Sequence, residues 1–312
     1  MSLFSGRAEW HYKGTCIWVA SFFSIAVNAF MIFTYLRHRQ TYSVATLYVV
    51  LIGIMGICMT LMAETTFLQE AVHPMTAPDW LFALKRFSLT DACGFLREFF
   101  PHALQLLIVC DCMNRYILIC LPDKKEEFLN KKAVGVIILV IIAVSSLFAG
   151  LTIQISNDMK LKWQGPASSG SYQGWRRRYT WIYFVALKII VSFMRAIAHV
   201  VLTIRIKINL EKSIAFLSMN MTRTVSIEQY RRIIRFSVYI CMIVVFYNVA
   251  IASLDAAFFI WKQIHVNYLV EYPFYKNLLA SRLMSIMPYL VNVIICFQPF
   301  CFASVHIWFK YH

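Results

Sequence analysis

A chain of 312 residues that is 60% hydrophobic and only 14% charged, with 25 Phe, carries more apolar surface than a soluble core of that size buries. Its formal charge of +15 does not point to nucleic acid, because the basic residues sit in short connections between apolar blocks and no polar domain gathers them. The apolar residues come in runs of about 20, the length a helix needs to cross a hydrocarbon layer of about 30 Å.

In chain order, Met1 to Gly14 holds Arg7, Glu9 and Lys13 and leads into an apolar block at 16–36. That block is too long for a removable signal peptide and lacks a small-residue cleavage signature, so it reads as a first membrane helix. Further spans are expected at 43–63, 133–153, 180–204 and 236–261, each predominantly apolar and bounded by polar stretches. Residues 91–121 contain Arg97, Glu98, Asp111 and Arg115, yet no breaker falls between Pro101 and Pro122, which predicts a long helix with a polar inner side. Residues 278–308 carry Arg282, Pro288 and Pro299, and prolines are tolerated in a span when neighbouring helices satisfy the freed backbone groups. The expectation is an all-α membrane protein, one domain over 1–312, folded as a seven-transmembrane helix bundle.

Direction follows from the positive-inside rule. Arg37 and Arg39 follow the first span, Lys124, Lys125, Lys131 and Lys132 the third, and Arg205, Lys207, Lys212, Arg223, Arg231, Arg232 and Arg235 the fifth. This predicts an outside N-terminus, an inside C-terminus and a cytoplasmic loop from Arg205 to Arg235, although Arg176, Arg177 and Arg178 count against it. The other long polar connections are 64–90 and 154–179. The nine cysteines lie mostly in or beside apolar blocks without metal-ligand spacing, so inert buried thiols are expected, with no metal and no cofactor.

At the end of the third span stands Asn114-Arg115-Tyr116, followed by Pro122, and near the end of the seventh lies Gln298-Pro299-Phe300-Cys301-Phe302. The first resembles the Asp-Arg-Tyr motif of rhodopsin-like G-protein-coupled receptors, and the second that family's Asn-Pro-x-x-Tyr motif. Asn28 is similar to the asparagine of its first span. Asn114 replaces the acid, Gln298 the asparagine and Phe302 the tyrosine; the second span has no Asp and the sixth no Pro. With such departures the chain most resembles the nematode serpentine chemoreceptors. The resemblance implies that Asn114, Arg115, Tyr116, Gln298, Pro299 and Phe302 form a switch facing a heterotrimeric G protein, in the plasma membrane, to which the spacing of Asp111 adds that residue.

Asp111 lies four residues before Arg115, on the same helical face, with the acid N-terminal to the base as such pairs favour. It is the candidate latch for the arginine; alternatively Arg115 snorkels to lipid headgroups. A second polar set, Glu98, His102, Lys188, Asp255 and Arg282, lies nearer the predicted outer ends of four spans. These residues either wall a pocket for an extracellular small molecule or peptide, or pair with one another, Lys188 with Asp255 for instance, and hold helices together. Lys188, Arg195 and His199 share one face.

A chemosensory receptor is therefore the leading expectation. A transporter or channel is the alternative, which repeated halves, paired broken helices or an ionisable chain through the midplane would have favoured. No nucleophile with a base and no clustered His and carboxylates are in view, so no enzyme is expected.

Overall fold

The computed structural model describes residues 2–37, 44–71, 89–160, 172–219, 224–268 and 279–311, with the side chains described over most of the membrane-spanning part of each helix. The long helices are α1 (Ser2–Arg37), α2 (Val44–Ala71), α3 (Leu89–Cys120), α4 (Lys131–Lys160), α5 (Tyr172–Met219), α6 (Thr224–Tyr268) and α7 (Leu279–Tyr311). All seven are long and apolar enough to cross a membrane. The expected all-α seven-span bundle is thus the observed fold.

Local chemistry sets the helix ends. Pro122 cannot continue α3 and disfavours helical geometry at Leu121, so α3 stops at Cys120 and the chain turns through a 3-10 helix at Pro122–Lys124 and one helical turn at Lys125–Phe128. Asn130 then caps α4: its Oδ1 accepts from the Ala133 backbone N–H at 2.7 Å, and its Nδ2 donates back to the Glu127 carbonyl at 2.9 Å. Pro101, Pro288 and Pro299 all lie within continuous helices, as expected.

The fifth and sixth spans depart from expectation. The stretch from Arg205 to Arg235, read as a loop, is mostly helix: α5 runs on to Met219 and α6 begins at Thr224. Lys and Arg are good helix formers, and an exposed Lys207–Glu211 pair one turn apart (3.7 Å) suits the helix surface, so charge ends the membrane segment there without ending the helix. At 1.5 Å per residue α5 is about 72 Å long, far more than the hydrocarbon thickness. The apolar segments accordingly fall at Val185–Ala215 and Ile227–Leu254, later and earlier respectively than the sequence reading. Helix also extends past the other expected limits, to Ala71 in α2 and Lys160 in α4.

The helices close into a ring in which α1 packs on α2 and α7, α2 on α3 and α7, α5 on α6, and α6 on α7, while α3 also meets α4 and α5. Large apolar side chains point outward, among them Phe22, Leu139, Leu147, Met194 and Phe246, each more than half exposed. In water such a surface would drive aggregation; against lipid tails it is the ordinary exterior. Polar side chains go inward instead: Ser24, Asn28, Thr60, Gln105, Asn248 and Gln298 are all buried. Ser24 meets Thr60 at 3.0 Å between α1 and α2, and Asn248 Nδ2 donates to Gln105 Oε1 at 3.2 Å between α6 and α3. Within lipid these bonds and close packing hold helices together where no hydrophobic drive acts between them.

Two glycines of α2 permit that packing. A Cβ on Gly53 would stand 2.7 Å from Ile32 of α1, and one on Gly56 would stand 2.8 Å from Pro299 of α7 and 3.0 Å from Asn28 Oδ1. Gly56 therefore brings Asn28 and Pro299, two residues picked out by the family resemblance, against one point. Gly150 of α4 has open space around it. Gly56→Leu should cost about 1–3 kcal/mol through overpacking, read as a lower melting temperature of the purified protein in detergent, whereas Gly150→Leu should leave the melt within error of the parent.

Candidate functional site

The end of the bundle at which α3 terminates holds the residues expected to form the switch. Asp111 and Arg115 form the ion pair their spacing predicts, with Asp111 Oδ2 accepting from Arg115 Nη2; the side chains are 2% and 16% exposed. Arg115 therefore does not reach out along the lipid face. Its guanidinium lies 4.2 Å over the ring of Phe236 on α6, so the one arginine is held by a carboxylate on its own helix and an aromatic face on another.

Behind Phe236 an aromatic stack continues into α7 and α1. The Phe236 ring meets His306 edge-on at 4.9 Å, and His306 in turn packs on Phe302 at 4.4 Å. Tyr35 Oη and His306 Nδ1 are 3.1 Å apart, joining α1 to α7. Phe302 is fully buried in this stack. Tyr116 packs against a smaller cluster of Cys112, Ile206 and Leu210, at the meeting of α3 with α5 and α6. Asn114 and Gln298 are buried, 2% and 1% exposed, and none of their side-chain N or O atoms has a protein partner. Pro299 rests on α2 at Gly56. The seven residues assigned to the switch are thus spread over α3 and α7, with Phe236 and His306 as the links between them.

Sequence reading missed those two links. Phe236 carries no polar signal, and its role follows only from the placement of α6 over Arg115. His306 did carry one: it is an imidazole in an apolar run, four residues after Phe302 and so on its face.

Of the second polar set, Glu98, His102 and Lys188 come together, and Arg195 joins them. Lys188 Nζ donates to Glu98 Oε2 at 2.9 Å, and Arg195 Nη2 lies 2.8 Å from His102 Nδ1, whose ring packs on Phe148 of α4 at 4.5 Å. These are two polar rungs between α3 and α5, each made by residues on one face of its helix. Lys188 is paired with Glu98; the pairing of Lys188 with Asp255 considered from sequence lies outside the described residues, as do the side chains of Asp255 and Arg282. His199, next along the α5 face, is fully buried with neither ring nitrogen partnered by protein.

Among the described residues no group of three or more His, Cys, Asp or Glu could hold a metal ion, and the described cysteines, Cys93 included, are in no disulfide with one another. No protein-family model and no curated protein matches the chain. The fold defines a multi-span membrane protein of seven helices. Its distinguishing feature is a paired arginine enclosed at one end.

The rungs make a direct prediction. Lys188→Glu or Glu98→Lys alone sets like charges face to face and should lower the melting temperature, while the double exchange should restore most of the loss. A double exchange no better than either single change would mean that the pair does not join α3 to α5.

Proposed function

We propose that this chain is a G-protein-coupled receptor, chemosensory in kind, which binds an extracellular small molecule or peptide and signals to a heterotrimeric G protein from the Arg115 end.

 The observation that carries this reading is the enclosed arginine. Held by Asp111 and covered by Phe236 of α6, Arg115 is withdrawn while α6 stays against α3, and a displacement of α6 would uncover it. Such a bundle has two states, and a ligand that favours the open one shifts the balance toward it. The Arg115 end is then cytoplasmic, in keeping with Lys124, Lys132, Arg205, Lys207, Lys212, Arg231, Arg232 and Arg235 gathered there, and the membrane is the plasma membrane. The Glu98–Lys188 and His102–Arg195 rungs lie toward the ligand side of α3 and α5, where a polar ligand would compete for the same groups.

Two experiments test this. Epitope tags at the N-terminus and between Met219 and Thr224, probed on intact and permeabilised cells, should show the first accessible and the second protected; the reverse pattern removes G-protein coupling at the Arg115 end. In cells expressing a promiscuous G protein, Asp111→Asn should raise ligand-independent signalling at matched surface expression, because a partly buried arginine loses its counter-charge. Arg115→Ala should silence the receptor. An Asp111→Asn chain no more active than the parent would show that Asp111 has a structural role only.

A further inference from the structure

Beside Phe236, the ends of α1 and α7 and the beginnings of α2 and α6 surround a partly open cavity of about 520 Å³. Tyr35, Thr46, Arg232, His306 and Lys310 supply its polar groups, and Ile233, Phe236 and Phe309 its apolar ones. Among the described residues no Asp or Glu lines it. We propose that this cavity is a binding site for a phosphomonoester anion, of the kind carried by a phosphorylated inositol headgroup.

The two cations come from different helices and are already oriented. Arg232 donates through Nη2 to the Phe309 carbonyl in the last turn of α7. Lys310 Nζ donates to the Thr34 carbonyl, in the last turn of α1, at 2.9 Å, and stands 4.3 Å over the Tyr35 ring. Each contact uses one N–H of a group that has several, so a guanidinium fork and an ammonium both keep donors for a further acceptor. These contacts also fix the side chains before any ligand arrives, which lowers the ordering cost of binding.

His306 is the second, independent observation. It is only 2% exposed, it lines the cavity, and its Nε2 has no protein partner. Tyr35 Oη and His306 Nδ1 are 3.1 Å apart, and in the tautomer in which the hydroxyl donates to Nδ1 the ring hydrogen sits on Nε2 and supplies a third donor. A buried polar atom left unpaired is costly, and a phosphoryl oxygen would pair it. Two cations and an imidazole nitrogen, with no Asp or Glu among the described lining residues, favour an anion of more than one negative charge. The volume suits a headgroup rather than a lone ion. Basic pockets between membrane helices take anionic lipid headgroups in this way, and the aromatic wall leaves room for the apolar part of such a lipid. Because Arg232 belongs to α6 and Lys310 to α7, an occupant would tie these helices together beside Phe236. The site does not depend on G-protein coupling, and its test contains no signalling step.

Ligand-dependent stabilisation separates binding from a merely structural role of the cations as partners for helix ends. The full chain would be reconstituted in nanodiscs of phosphatidylcholine alone or with added phosphatidylinositol bisphosphate, and its melting temperature measured. The parent and a Lys207→Gln control should melt higher with the phosphorylated lipid. Arg232→Gln/Lys310→Gln should show no such increment, whatever its own starting stability, and its affinity should fall by about tenfold or more. In phosphatidylcholine nanodiscs with soluble inositol trisphosphate, an equal rise would identify the phosphate ester itself as the ligand, and a rise with the lipid alone would identify the membrane-borne headgroup. Should the double variant not fold, native mass spectrometry of the parent decides, since it should retain the bisphosphate lipid in preference to phosphatidylcholine. An increment of equal size in parent and double variant, or a parent that shows no preference for either phosphorylated probe, would overturn the proposal.

Discussion

A guanidinium among apolar helices needs a counter-charge and a surface to lie against, and the bundle is built so that Arg115 has both. Asp111, one turn earlier on α3, supplies the charge, and Phe236 on α6 supplies the surface. Removing either would leave a partly buried cation under-compensated in a medium of low dielectric, which is far more costly than losing an exposed pair. The carboxylate belongs to the same helix as the arginine and so travels with it. The ring belongs to another helix and does not. That asymmetry makes the position of α6 the variable that decides how enclosed Arg115 is.

The rest of the interior obeys the same constraint. Within lipid, polar groups are placed toward other helices because nothing outside satisfies them, and the apolar side chains take the exterior. The contacts between helices are therefore specific ones: Ser24 with Thr60, Asn248 with Gln105, Lys188 with Glu98, and the close approach of α2 to α7 at Gly56. They distribute along the bundle, with the α3–α5 rungs toward one end and the Arg115 stack at the other. The His306 imidazole stands where that stack meets the cavity between α1, α6 and α7, and Phe236 both carries the arginine over its ring and lines the basic cavity.

Much of this was legible from the residues alone, for physical reasons. A run of about 20 apolar residues has few alternatives to a membrane helix, so the number of spans and most of their limits follow. The Asp111–Arg115 pair is local, fixed by the helical repeat, and needs no knowledge of the fold. Interhelical partners are different, because they depend on which faces meet. Glu98 and Lys188 are each visible as ionisable residues in apolar runs, but their pairing is decided by α3 lying on α5. Likewise Phe236, Tyr35 and Gly56 look like ordinary packing residues until α6, α1 and α2 are in place. The extent of helix in α5 and α6 is not legible in the same way, because charge marks where a helix leaves the membrane and not where the helix ends.

The central claim is that the Asp111–Arg115 pair and Phe236 together hold α6 against α3. It is tested most directly by the distance between those helices at the Arg115 end. Spin labels carried on unnatural amino acids at Lys124 and Gln229, both exposed, would report that distance by pulsed electron resonance in nanodiscs. The account predicts a short, narrow distribution for the parent and a second, longer population in Asp111→Asn. A distribution unchanged by that substitution would contradict it.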